Sequence, residues 1–426
     1  MLRAHAASAG TSRRRSGVGL ALAGGGPLGG IYEIGALLAL ADALEGVDFN
    51  DLRVYVGVSS GSLMASGLAN GLSPAALYSI YIENGSDEHP ISPAVFQRPA
   101  LAEYYERAVA LPELFIDALW RYLQSPLERG LWASLQALGR AIPTGVFDSA
   151  PVGQFLTRLF TTGGRTNDFR KLKRPLYVVA TDLDSGESVE FGAKGYDHVP
   201  IATAVQASTA LPGLFLPTRI DGRYFVDGAL KKTLHASVAL RQGASLVICI
   251  NPLVPFDAAL ARKRGKPGHG KLVEGGLPVV LSQTFRALIH SRMQVGMTKY
   301  DTAYKDADIL LLEPDPDDAE MFFANVFSYA NRRSVCDHAY RNTIRDLARR
   351  RPALTRILAR HGIRLRTELL RQKGGAHIRT SPSLRRVSGK DLGRDLSASL
   401  QLLDEWVQAR RAERVRHPAR PQLAES

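Results

Sequence analysis

Residues 55–63 read YVGVSSGSL, and the spacing Gly57-x-Ser59-x-Gly61 inside them marks Ser59 as a candidate nucleophile. A serine thrust outward on a sharp strand-to-helix turn needs neighbours without Cβ atoms, so that a substrate and the next helix can approach it. A plain Gly/Ser turn could carry the same letters, and the surrounding chain decides between the two. Upstream, residues 17–23 (GVGLALA) form a short apolar run that leads into GGGPLGG at residues 24–30, then an Ala/Leu-rich helical stretch over 31–44. Strand, glycine loop and helix in that order aim backbone N–H groups at the positive end of a helix. Negative charge is welcome there, either a nucleotide phosphate, since Gly24-x-Gly26-x-x-Gly29 fits a dinucleotide fingerprint, or the oxyanion of an acyl-transfer intermediate. Asp48 lies near the distance of a ribose-binding carboxylate, but the second strand at 54–58 ends in a serine elbow that nucleotide binding does not require. The pair of motifs favours acyl chemistry.

A nucleophilic serine needs a base. His198, His235, His290 and His338 lie downstream, each without a glycine-flanked loop or an obvious partner, and they read as surface or structural histidines. Asp227 is the better candidate. In IDGRYFVDGA (residues 220–229), Asp221-Gly222 reads as the turn of a hairpin. Asp227-Gly228 then closes the second strand, at a position where catalytic groups are often displayed.

These residues resemble the patatin-like phospholipase family. The resemblance rests on GGGPLG at 24–29, GVSSG at 57–61 and DGA at 227–229, in the family's order and separations, with ASTALPGLFLP at 207–217 and the run LYVVATDLDSG at 176–186. It covers about residues 17–255. One departure is Leu28, where the family's loop often has Arg or Lys before the last glycine, which puts extra cationic help in doubt but leaves the backbone amides unaffected.

The resemblance implies an α/β fold, a three-layer sandwich around a central, mainly parallel sheet. It also implies a Ser-Asp dyad without histidine, in which Ser59 attacks an ester carbonyl and Asp227 takes its proton. Amides of Gly24, Gly25, Gly26 and Gly29 would form the oxyanion hole, with Gly57, Gly61 and Gly228 as motif glycines. No metal or cofactor is expected. The implied substrate is a phospholipid or another acyl ester. A carboxylesterase or thioesterase using the same dyad, and a nucleotide-binding regulatory module that would leave Ser59 and Asp227 idle, are the alternatives.

Composition is that of a globular enzyme, with 45% hydrophobic and 22% charged residues in 426. No apolar run reaches the roughly 18 to 20 residues of a membrane span, and the N-terminus lacks the apolar core of a secretory signal. Cys249 and Cys336 give no disulfide framework, so a cytoplasmic location, peripheral to membranes, is expected. Residues 361–426 hold 14 Lys/Arg against 7 Asp/Glu, +7 of the net +13. Either this is a solvated arginine-rich tail, or it draws the protein transiently to anionic lipid. No nucleic-acid signature accompanies the charge.

Along the chain, residues 1–16 read as a disordered basic tail and 17–255 as the hydrolase core. A helical insertion at about 100–142, rich in large apolar side chains, is either core packing or a lid over an acyl channel. Residues 256–373 read as a helical continuation interrupted by a strand at 308–312, with Pro352 breaking or kinking a helix over 319–359. A basic linker and a last helix occupy 374–426.

Overall fold

The protein is described from a computed structural model, over residues 4–5, 17–83, 98–101, 103–105, 107, 143–266, 271–324, 331–371 and 377–384. Apart from those few positions, the insertion expected at 100–142 and the C-terminal helix expected at 392–414 lie outside the described residues.

Two-residue alternation in short apolar strands builds the layers. In β2 (Val18–Leu22), Leu20 and Leu22 join one buried cluster, whereas Ala21 and the following Ala23 join another. The strands β4 (Val54–Val58), β11 (Leu246–Ile250) and β12 (Asp308–Leu312) divide in the same way and are buried throughout, as a parallel sheet covered on both faces demands. One face carries helix α1 (Gly26–Ala43), helix α2 (Ser60–Ala69) and the helices Ile201–Ser208 and Arg332–Arg349. The other carries Ala236–Arg241 and the last turns of Gly276–Ala303. Helix, sheet and helix make three layers.

Among the described residues the sheet has nine strands. From one edge, β1 (Ala4–His5) pairs with β12, then come β11, β2, β4 and β6 (Leu176–Asp182), all parallel from β12 to β6. Antiparallel β10 (Arg223–Asp227) and β9 (Thr218–Ile220) follow, and β7 (Ser188–Phe191) pairs back on β6. The sheet therefore takes in residues 308–312 and runs past residue 255. Two small sheets stand apart, β3 (Leu44–Glu45) with β13 (Arg364–Leu365) and β5 (Gly145–Phe147) with β8 (Gly213–Phe215).

One detail of register positions the site. Along β6, residues 178–181 pair with β7 on one side. Val178 and Val179 also pair with Gly57 and Val58 of β4, and Ala180 and Thr181 also pair with Asp227 and Val226 of β10. Since β7 fills the opposite edge, β4 and β10 lie along the same edge, end to end and pointing at each other. β4 stops at Val58 opposite Val179, and β10 stops at Asp227 opposite Ala180. The next residue of β4 is Ser59.

Candidate active site

Ser59 sits where the chain must turn from β4 into α2 without a loop. Its backbone is at φ 50° and ψ −126°, a region that residues with a Cβ rarely occupy. Such a conformation typically costs about 1 to 3 kcal/mol and persists where its surroundings over-determine it. Those surroundings are visible. The Ser208 hydroxyl accepts the Ser59 N–H at 2.8 Å and donates to the Val179 carbonyl at 2.6 Å, so it bridges β4 and β6 where their own ladder ends. On the other side, the Ser59 carbonyl accepts from the Ser62 N–H at 2.9 Å and from the Ser62 hydroxyl. Gly61 permits the elbow to lie flat on β2, since a Cβ there would stand 2.6 Å from the Leu22 carbonyl carbon. Gly57 occupies the penultimate position of β4, beneath the first turn of α2.

Asp227 ends its strand in the same manner. It caps the short turn Gly228–Leu230, with its Oδ1 accepting the Ala229 N–H at 2.8 Å, while its own N–H donates to the Ala210 carbonyl at 2.9 Å. The hairpin before it turns at Asp221 and Gly222, with φ 49° and 80°, the left-handed pair that a two-residue connection requires. The Asp227 carboxyl is buried and hydrogen-bonded to Ser59. Burial raises its pKa to about 6, against the opposing hydrogen bonds from Ser59 and the Ala229 N–H, which favour the ionised form.

The glycine loop closes the third side. Gly25 caps α1, Gly26 begins it with φ 62°, and Pro27 sits in the first turn. At Gly24 the approach to the serine is so close that a Cβ would stand 2.9 Å from the Ser59 Cβ, 3.0 Å from the Ala229 Cβ and 3.6 Å from the Ser59 Oγ. Among the described residues the N–H groups of Gly24, Gly25 and Gly26 have no acceptor within the protein. Gly29 differs from the expectation set for it. Its N–H is the first to find a partner one turn back, the Gly25 carbonyl at 3.0 Å, so it is not a free donor and serves packing against Pro252.

The histidines are occupied elsewhere. His198 meets Asp221 at 2.9 Å on the exposed hairpin, and His338 lies between Asp318 and Glu320, each at 2.8 Å. His290 faces Glu313 at 3.8 Å. His235 is buried and neutral, its pKa pushed down to about 3 by burial and then by the charge of Lys232. None of these four is among the partners of Asp227. Ser208 is the residue that sequence reasoning passed over. A serine ending the mostly buried helix Ile201–Ser208 was its signal.

What the arrangement can do is acyl transfer: a strained hydroxyl, a buried carboxyl hydrogen-bonded to it, and unpaired amides beside it at the start of a helix. The family model for patatin-like phospholipases matches residues 20–240, which contain all of these groups. Uncharacterized NTE family proteins of Mycobacterium bovis and Mycobacterium tuberculosis are 35% identical over 81 residues, 19% of this chain and 21% of theirs. The chain thus matches about a fifth of the length of those curated relatives. Among solved structures, VipD from Legionella pneumophila is 17% identical, with a TM-score of 0.31 over 79% of this chain and 70% of its own. Human GIVD cytosolic phospholipase A2, solved with methyl gamma-linolenyl fluorophosphonate, is 13% identical, with a TM-score of 0.32 over 82% of this chain and 60% of its own.

Proposed function

The chain belongs to the patatin-like phospholipase family, and on that premise we propose that it is a lipid acyl hydrolase of the phospholipase A type, cleaving carboxylic ester bonds with Ser59 and Asp227. The observation that carries this reading is the end-to-end meeting of β4 and β10 on one edge of β6, which brings a strained serine to a buried aspartate. Ser59 Oγ attacks the ester carbonyl while its proton passes to Asp227. The amides of Gly24, Gly25 and Gly26 receive the tetrahedral oxyanion, each such donor being worth about 3 kcal/mol in systems where one has been removed. Collapse breaks the ester C–O bond, and the alcohol, a lysophospholipid, leaves with the proton held by Asp227. Water then attacks the acyl-enzyme, Asp227 takes its proton, and the fatty acid departs as the Ser59 hydroxyl is restored.

A carboxyl that ionises at about pH 6 suits this work. It is ionised at neutral pH yet basic enough to accept a proton in the transition state. No described helix is long and apolar enough to cross a membrane. Turnover of a phospholipid and of a water-soluble p-nitrophenyl ester by Asp227→Asn tests the reading. Both rates should fall by about a thousandfold or more, with the fold intact. Full turnover without the carboxylate would overturn it and return a histidine to consideration.

A further inference from the structure

The helix Gly276–Ala303 is built inside out over its first half. It connects β11 to the parallel strand β12, so it starts at the edge of the sheet where the strands end and returns to the opposite edge. Its level against that edge is marked by side chains. Asn251, just past β11, reaches both Met293 at 3.2 Å and Glu313 at 2.7 Å, and Glu313, just past β12, faces His290 at 3.8 Å. Everything before His290 therefore projects beyond the sheet, about 20 Å of helix at 1.5 Å per residue. The edge it overhangs is the one that carries Ser59 and the glycine loop. At the same level Arg292 donates to the Leu230 carbonyl at 3.0 Å, in the turn that Asp227 caps.

The overhanging part turns polar groups inward. Gln283 exchanges two hydrogen bonds with the backbone of Phe256, at 3.0 and 2.8 Å, and Arg286 lies over the Phe322 ring. Successive positions on the opposite side are apolar and bare: Leu277 is 69% exposed, Leu281 46%, Phe285 49% and Leu288 56%, with Val295 continuing the stripe at 57%. Spacings of four, four and three residues keep the first four on one side of the helix. A soluble protein rarely shows so long an apolar stripe without a use for it. The inward side of this stretch meets acids, Asp315 and Asp318 lining the same pocket as Arg286, whereas the segment that carries the stripe is itself basic. Residues 258–292 contain seven Lys/Arg and Glu274 as their only acid. Arg264 and Lys266 pair with Asp317, while Arg262, Lys263 and Lys271 are exposed.

We propose that the outward face of residues 277–288 is a docking surface for an anionic lipid bilayer, laid flat in the headgroup region so that the Ser59 edge of the sheet meets the membrane. Apolar side chains enter the boundary of the acyl region, and the neighbouring cations meet anionic headgroups, each contributing about 1 kcal/mol near the surface. The inference rests on the proposed lipid substrate for its purpose but not for its geometry, and the two can fail separately.

The test uses the full chain carrying Ser59→Ala, so that vesicles stay intact, and flotation with vesicles of phosphatidylcholine alone or mixed with phosphatidylglycerol. The parent should favour the mixed vesicles. Adding Leu281→Asp and Phe285→Asp should weaken binding by about a hundredfold or more, at roughly tenfold or more for each apolar group withdrawn. Adding Lys263→Glu and Lys271→Glu instead should erase the preference for phosphatidylglycerol. In the Ser59-intact protein, Leu281→Asp with Phe285→Asp should leave turnover of a soluble p-nitrophenyl ester unchanged. Parental vesicle binding by the aspartate variant would overturn the proposal. So would a parent that ignores both vesicles, or a dimer that this variant splits while lipid binding persists, which would make the face a contact between copies. Vesicle binding without phospholipid hydrolysis by the Ser59-intact protein would instead sink the proposed function and leave the docking surface standing.

Discussion

Around Ser59 each polar group has an assigned partner: its N–H is held by Ser208, its carbonyl by Ser62 and its side chain by Asp227, all within a few residues of buried strand. Around Leu281, at the same edge of the sheet, Gln283 and Arg286 face the protein while Leu281, Phe285 and Leu288 face outward. One region spends the fold's rigidity on holding a strained backbone, and the other leaves apolar area uncovered. On the proposed reading, the difference separates two requirements, a pre-organised centre and an adhesive rim. Substitutions should therefore divide into those that remove chemistry on every ester and those that remove only access to lipid.

Within the centre, the largest effect after the loss of the Asp227 carboxylate is expected from Gly24→Ala. Its methyl group would intrude to 2.9 Å from the Ser59 Cβ and stand over the hydroxyl. Activity on soluble and lipid esters alike should drop by about a hundredfold or more, measured as kcat/KM on both. Selective loss on lipid would break the division between centre and rim.

A smaller effect is set by pH. Asp227 must be ionised to accept a proton, and its carboxyl titrates at about 6. kcat/KM should be flat above that value and fall about tenfold per unit below it, equally for the wild type and for the docking variants. Stability moves the other way. The folded carboxyl keeps its proton up to about 6, whereas an ordinary aspartate loses it near 3.8, so the folded state binds more protons between these values. This residue's contribution to stability is therefore lost as pH rises through that window, by on the order of 3 kcal/mol. Asp227→Asn, which cannot ionise, should gain in melting temperature relative to wild type as pH rises from about 4 to about 6. A constant difference across that range would mean that the carboxyl is not perturbed.

The mildest change is Ser208→Ala. It strands the buried Ser59 N–H and Val179 carbonyl, at about 1 to 3 kcal/mol of stability. Because Ser208 positions the elbow and is not assigned a contact with the ester, kcat on a soluble ester should fall about tenfold with KM little changed. A variant with wild-type kcat would show that the elbow holds itself.

Much of the centre could be read from sequence because its determinants are local. Glycines at fixed spacing around Ser59, the Asp221-Gly222 turn and the buried runs of β4, β11 and β12 each announce themselves within a few residues. The strand expected at 308–312 forms with those bounds, but its place beside β11 depends on a crossover that no local pattern encodes. Helix ends shifted where tertiary contacts or prolines intervene. The long helix expected over 319–359 is divided, with Ala319–Phe323 separate and a break at Arg350 that leaves Pro352 in the first turn of Arg351–Arg360, where its missing N–H costs nothing. Strand Ser188–Phe191 escaped notice because its alternation is brief and holds Glu190. The sequence pattern places a helix at about 279–305, and it forms at Gly276–Ala303, but the pattern could not say which side the protein would cover, since that depends on Asn251, Phe256 and Glu313 arriving from distant segments. Gly29 shows the converse limit, for a loop motif does not reveal which of its amides the first helical turn will use.

The central claim is that Ser59, activated by Asp227, is the nucleophile. A fluorophosphonate probe, which phosphonylates an activated serine as fluoride leaves, puts it to trial most directly when the modified peptide is located by mass spectrometry. The expected result is a single label on Ser59, with a rate that falls below about pH 6, and no label on Ser59→Ala. A label on Ser60 or another serine, or equal labelling of Asp227→Asn, would contradict it.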